Sequence, residues 1–286
     1  MLIAQITDIH VGFDRGNPDE HNLRRLRSVV DRLTAGPEQP DLLLLTGDLT
    51  EYGDGESYAL LREVLSRCDF PVWPATGNHD VRTELLRAFP VVPSTDGFVQ
   101  YALDFPGLRI LVLDTLEEGR HGGAFCPVRA RWLESELAAH PETPTVIVMH
   151  HPPFESGLAW LDSGEDEAWI GRFTAAVAGH EQVVAILSGH LHRTISTVWN
   201  GIALNVSAST APLASLDLRP IDIAVPDGRP MIADEPPVFA LHRWTGRHLI
   251  THTKSVTGAT ILAHYDEKFL PVVQLIDRER RSGAKD

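Results

Sequence analysis

The sequence has 286 residues, 43% of them hydrophobic, and a formal net charge of -14. That length is enough for a full α/β core, no apolar run is long enough to span a bilayer, and an acidic chain without a basic stripe is poorly suited to the backbone of long DNA or RNA. Two cysteines, Cys68 and Cys126, make no disulfide framework, so a reducing cytoplasm is the expected compartment. A small phosphorylated molecule stays compatible with the charge, because bound cations reverse the local field.

The opening Met1–Asp8 has no basic region and reads as a core strand rather than a signal peptide. Asp8 and His10 follow it at i and i+2, which in extended backbone would send both side chains to one side. Asn17-Pro18-Asp19-Glu20 then carries the signals of a helix start, with Asn17 as cap and Pro18 in the first helical position. Leu23, Leu26, Val30 and Leu33 form its apolar stripe, and Arg24, Arg25 and Arg27 read as a solvated face. Four consecutive leucines, Leu42 to Leu45, read as a strand buried on both faces. That strand ends in Gly47-Asp48, at the carboxyl end where open α/β sheets bind ligands.

Glu56 to Arg67 is a second predicted helix. Phe70 to Thr76 is a strand that ends in Gly77-Asn78-His79-Asp80. Phe98 to Phe105 and Leu108 to Asp114 pair across Pro106-Gly107. Glu117 to Phe125 is a Gly-rich loop in which His121 reads as a mobile surface residue. Pro127 to His140 is helical, and the strand Thr145 to Met149 delivers His150-His151. Adjacent side chains diverge on a strand, so one of that pair is expected to reach a metal and the other to support it. Phe154 to Glu167 is a loop in which Trp160 is either a substrate platform or a locally packed lid. After the helix Ala168 to Ala178, the strand Gln182 to Ser188 leads into Gly189-His190-Leu191-His192, two imidazoles that need partners.

A hairpin is predicted over Asn200-Gly201. Beyond Ser207 the chain turns Pro-rich, and Ala211 to Pro237 reads as an irregular flap. Within it, Ile221 to Val225 and Met231 to Ala233 flank the turn Pro226-Asp227-Gly228-Arg229. Val238 to Trp244 and His248 to Val256 form another hairpin, with His242, His248 and His252 expected on a solvent face. The charged end, 277–286, is expected to fray. The divisions that follow are a catalytic domain over 1–207, a cap and hairpin over 208–276 that complete it, and the charged tail.

Asp8, His10, Asp48, Asn78, His150, His190 and His192 thus gather mixed O and N donors at five strand ends. One carboxylate shared between two cations would give a two-metal site, which stabilises both the entering and departing oxygens of an in-line displacement and supplies hydroxide near neutral pH. Such donors suit Mn, Fe, Co or Zn.

The ordered set Asp8-x-His10, Gly47-Asp48, Gly77-Asn78-His79-Asp80, His150-His151-Pro152 and Gly189-His190-x-His192 resembles the calcineurin-like metallophosphoesterase superfamily over about residues 1–207. It is most similar to bacterial class III cyclic-nucleotide phosphodiesterases and the related glycerophosphodiesterases. The resemblance implies a four-layer α/β/β/α sandwich with a C-terminal cap and oligomerisation segment, hence a homo-oligomer. It implies two transition-metal ions, one on Asp8, His10 and His192, the other on Asn78, His150 and His190, with Asp48 bridging. His79 would contact the phosphate and protonate the leaving oxygen, Asp80 would orient His79, and His151 would support the site or touch substrate. The implied activity is hydrolysis of a small phosphodiester. A phosphomonoesterase or broad organophosphate hydrolase is the alternative on the same site, and a silent metal-binding scaffold is disfavoured by the intact donor set.

Overall fold

The computed structural model describes residues 1–282. Met1–Val256 is one compact unit and a second begins at Thr257. Two sheets form the first. One contains β1 (Leu2–Ile6), β2 (Leu42–Thr46), β3 (Val72–Ala75), β12 (Val238–Trp244) and β13 (Leu249–Ser255), in the order β13-β12-β1-β2-β3. The other contains β4 (Tyr101–Phe105), β5 (Leu108–Val112), β6 (Thr145–Val148), β7 (Val183–Ser188), β8 (Ile195–Trp199) and β9 (Ile202–Val206), in the order β4-β5-β6-β7-β9-β8. In the first, β1-β2-β3 are parallel out to the β3 edge and β12 and β13 are antiparallel on the other side; the second has a parallel centre, β5-β6-β7-β9, with antiparallel edge strands β4 and β8.

The layering follows from side-chain alternation. Ile110, Val112, Val146 and Val148 join the core between the sheets, and the intervening Leu111 and Ile147 face helices α4 (Pro127–Ala139) and α5 (Ala168–Val177). Leu42 to Leu45 are all buried in the first core, between the second sheet on one face and helices α1 (His21–Ala35) and α2 (Gly55–Leu65) on the other. Two helix-flanked sheets make the expected sandwich. Helix α3 (Arg82–Ala88), short and with Leu85 as its buried residue, lacks a long apolar stripe and was not predicted.

Several local expectations give way. Helix α1 starts at His21, and its cap residue Glu20 instead turns its carboxylate back to the backbone N–H of Gly12 and Asp14. Arg25 does not lie on a solvated face: it is buried, donating to the carbonyls of Thr210 (2.6 Å) and Ala211 (3.1 Å) and pairing with Asp234. The flap, expected to be irregular, contains a short ribbon of β10 (Leu213–Ala214) and β11 (Ile232–Ala233), while Ile221–Val225 is irregular as expected. Its tip is tied by Asp217, Arg219, Asp227 and Arg229.

The hairpin β12-β13 joins the first sheet through β1, which turns His242 inward, fully buried against Gln5 Oε1 (2.9 Å) and Thr251 Oγ1 (2.9 Å). His248 and His252 are exposed as expected. In the second unit α6 (Leu270–Ser282) covers most of the predicted frayed end, steadied by Asp277 pairing with Arg280 and Arg281, and 283–286 lie outside the described residues. Among the described residues no helix is long and apolar enough to cross a membrane.

Candidate metal centre

The parallel strands of both sheets deliver the site from their carboxyl ends. Asp8 and His10 follow β1, Asp48 follows β2, Asn78 to Asp80 follow β3, His150 and His151 follow β6, and His190 and His192 follow β7. Asp8 and His10 do not converge through extended backbone. Asp8, His10, Asp48, His190 and His192 all have φ between 48° and 72°, the left-handed region that non-glycine residues rarely enter. Such strain persists where surroundings over-determine it. Here the backbone N–H groups of Asp8 and His10 bond to the carbonyls of Gly47 (3.0 Å) and Asp48 (3.0 Å), locking the first two loops together. Close packing also explains the glycines: a Cβ at Gly77 would overlap the Asp48 carboxylate, and one at Gly189 would overlap Thr7 and Asp8.

Each imidazole spends one nitrogen on an oxygen acceptor. His10 Nδ1 donates to Glu51 Oε2 (2.7 Å), His150 Nδ1 to the Thr46 carbonyl (2.8 Å), His192 Nδ1 to the Pro212 carbonyl (3.1 Å) and His190 Nε2 to the Leu161 carbonyl (3.1 Å). The other nitrogen of each neutral ring must then be a lone pair. Those lone pairs converge on oxygens. His10 Nε2 lies 3.2 Å from His192 Nε2, which is 3.4 Å from Asp8 Oδ1. His150 Nε2 lies 3.3 Å from both Asp48 Oδ2 and Asn78 Oδ1.

Lone pairs facing each other at such distances repel unless positive charge sits among them, so the donor set fits cations. Asp8-His10-His192, His10-Asp48-His79, Asp8-Asp48-His150 and His150-His151-His190 are each compact enough to hold one. Asp48 appears with His10 on one side and His150 on the other, as a shared ligand would.

The charges agree. Burial alone would raise the pKa of Asp48, but His150, His10 and His79 around it drive it well below the usual value. Burial works against a charged His150, yet Asp48 beside it holds that ring's pKa up to about 9. For His190 and His151 burial and the neighbouring rings win, and both are pushed well down. A bound cation would take over the balancing that a protonated His150 otherwise provides, and would leave its Nε2 as a lone pair.

His79 stands at the mouth with 31% of its side chain exposed. Its backbone N–H donates to Asp48 Oδ1 (2.8 Å), and its Nδ1 donates to the Glu51 carbonyl (2.9 Å). Asp80 acts differently from the expectation: its carboxylate accepts from Leu49 N, Gly77 N and Tyr58 Oη, holding the loop backbone, while the His79 ring rests on Glu51. Burial, reinforced by Asp48, raises the Asp80 pKa to about 6. His151 is spent on both sides, with Nδ1 at 2.8 Å from Thr115 Oγ1 and Nε2 at 3.2 Å from the His121 carbonyl, so it supports the loop.

His121 is not merely a surface residue. Its ring packs 4.9 Å from His190 and its Nδ1 lies 3.4 Å from Asn78 Nδ2. Glu51 was not singled out in the sequence, where one glutamate in a polar loop gives no signal. Trp160 packs against the outer core near α5.

A family model described as calcineurin-like phosphoesterase matches residues 1–194. The chain belongs to the calcineurin-like phosphoesterase family. As a member it is a hydrolase of the metallophosphoesterase type, for which the family implies divalent metal ions. The chain is 31% identical over 264 residues to a "probable glycerophosphodiester phosphodiesterase" of Arcobacter nitrofigilis, covering 90% of this chain and 93% of that one. It is 34% identical over 226 residues to a "probable cyclic nucleotide phosphodiesterase" of Rhodopseudomonas palustris, covering 76% and 78%. Among solved structures, a dimetal phosphatase from Danio rerio superposes with a TM-score of 0.65 at 15% identity, covering 90% of this chain and 96% of that one, a likeness of fold.

Proposed function

We propose that this phosphoesterase hydrolyses small phosphodiesters, of the cyclic-nucleotide or glycerophosphodiester class, at a two-cation centre bridged by Asp48. The observation that carries the reading is the set of facing lone pairs around two buried carboxylates, His10 with His192 on Asp8 and His150 with Asn78 on Asp48. Asp8, His10 and His192 would hold one ion, Asn78, His150 and His190 the other, and the mixed donors suit Mn, Fe, Co or Zn. When bound, two such ions supply Lewis acidity toward phosphoryl oxygens and acidify a water.

The chain's own residues do the rest. Water attacks phosphorus and the bond to the leaving alkoxide breaks. His79, at the mouth with Nδ1–H fixed on the Glu51 carbonyl, hands the alkoxide a proton from Nε2 as the imidazolium, and the proton shed by the attacking water restores that form. Asp80 ties the backbone just after Asp48, at Leu49, to its own loop at Gly77, and His151 holds the His121 loop beside Asn78. The diester preference is supported by the names of the two relatives, which align over most of this chain. The same reading makes the protein a cytoplasmic homo-oligomer, and exposed Leu216, Leu218, Ile223 and Val225 on the flap suit a subunit contact.

The test is a panel assay of metal-reconstituted protein on cyclic nucleotides, glycerophosphodiesters, and matched aryl mono- and diesters. Higher kcat/KM on the diesters is the expected result. A preference for monoesters would overturn the reading in favour of a phosphomonoesterase.

A further inference from the structure

Glu51 lies three residues beyond Asp48, where the loops after β1 and β2 run side by side. Val11 bridges Thr50 in parallel, the Glu51 N–H donates to the Val11 carbonyl (2.9 Å), and Gly53 N donates to Thr50 Oγ1 (3.0 Å). This pinning sets Glu51 opposite His10. Its side chain is 15% exposed, and its Oε2 lies 2.7 Å from His10 Nδ1 and 3.7 Å from His79 Nδ1. The backbone carbonyl of the same residue takes the His79 Nδ1–H, and the two rings meet edge-on, centroids 4.7 Å apart.

A carboxylate on the far nitrogen of a ligating histidine fixes the tautomer, aims the lone pair and strengthens the donor. The other three candidate imidazole ligands lean on neutral backbone carbonyls, those of Thr46, Leu161 and Pro212. Of these four, His10 is the one with a carboxylate on the nitrogen that faces away from the centre, so the two halves are supported unequally.

We infer that Glu51 is a positioning residue whose carboxylate aims His10 and thereby selectively secures the ion held by Asp8, His10 and His192, while its backbone carbonyl independently holds His79. The inference rests on the metallophosphodiesterase reading of the site. A side-chain substitution removes the first function and leaves the second in place. Activity lost by Glu51→Ala is therefore recoverable by excess metal, unlike activity lost by His79→Ala.

The experiment is calorimetric titration of metal-stripped protein with Mn²⁺, for the native chain, Glu51→Ala and Glu51→Gln, with unfolding midpoints measured alongside. In Glu51→Ala one of the two binding steps is expected to weaken about 10–100-fold and the other to stay put. Glu51→Gln, whose amide oxygen can still accept the Nδ1–H, should recover most of the loss. Turnover of an aryl diester by Glu51→Ala should return as Mn²⁺ is raised, and that of His79→Ala should not. Native affinity for both ions in Glu51→Ala, or equal weakening of both with a lowered midpoint, would overturn the inference. Two bound ions without diester turnover in the native chain would sink the phosphodiesterase reading alone, because the binding comparison needs no activity.

Discussion

His10 and His192 turn their Nε2 atoms toward each other at 3.2 Å, each with its Nδ1 already bonded to oxygen. Neither ring can donate across that gap in its neutral form. Elemental analysis after metal saturation is expected to give two transition-metal ions per chain, and Asp48→Asn should lose or greatly weaken both. A saturated content of one ion would end the bridging role of Asp48.

His79→Ala should keep both ions, because its ring stands at the mouth and its contact with Asp48 runs through the backbone N–H. Turnover of substrates with poor leaving groups should fall about 10²–10⁴-fold. A substrate whose leaving group needs no proton should lose far less. Equal losses across a leaving-group series would restrict His79 to phosphate binding.

The flap can now be divided. Its root touches the centre: Ala211 N bonds to the Asp8 carbonyl (3.0 Å) and the Pro212 carbonyl takes His192 Nδ1. Its tip, residues 216–230, is held together by its own ion pairs, and Leu218 packs against Gly157 of the loop before α5. Replacing only the tip with a short Gly-Ser linker should spare the metals and narrow the diester-to-monoester ratio in kcat/KM. An unchanged ratio in the folded, metal-loaded variant would assign the tip to subunit assembly.

Arg25→Ala leaves the carbonyls of Thr210 and Ala211 without their buried partner. A cost of about 2–3 kcal/mol in denaturant unfolding is expected. Because those carbonyls belong to the strip that carries Pro212 to His192, Mn²⁺ affinity should drop as well. Loss of stability with native affinity would confine Arg25 to anchoring the flap.

Burial lowers the pKa of His242 from 6.5 to about 3. The unfolded chain therefore binds a proton there that the folded chain refuses. The native state loses stability as pH falls below 6.5, by up to about 1.4 kcal/mol per pH unit from this group. His242→Gln removes that dependence, so its unfolding midpoint should decline less steeply between pH 6.5 and 4.5. Parallel slopes for the two proteins would show that His242 is not what the pH acts on.

What the sequence disclosed was what strand periodicity and donor type carry. Leu42 to Leu45 announced a doubly buried strand, and the recurrence of Asp, Asn and His after apolar runs announced the candidate donors that the fold brings together. What stayed hidden depends on distant pairing. Arg25 looked solvated because the carbonyls it binds are 185 residues away or more. His242 looked solvated because nothing local shows that its strand is bounded by Gln5 and Thr251. The left-handed backbone at Asp8 and His10 was equally invisible, since it is enforced by the Gly47-Asp48 loop rather than by local propensity.

The centre takes Asp8, His10, Asp48 and Asn78 from one sheet and His150, His190 and His192 from the other. Loaded with the proposed ions, it would work as a clasp across a seam that is otherwise closed mainly by side-chain packing. An ion gripping both edges binds the assembled sandwich and not the separated sheets, so thermal stability should climb with free metal concentration by mass action. A sub-ångström slip between the sheets would spoil coordination before it exposed any core. Heating would then silence the enzyme through loosened metal well before the fold melts.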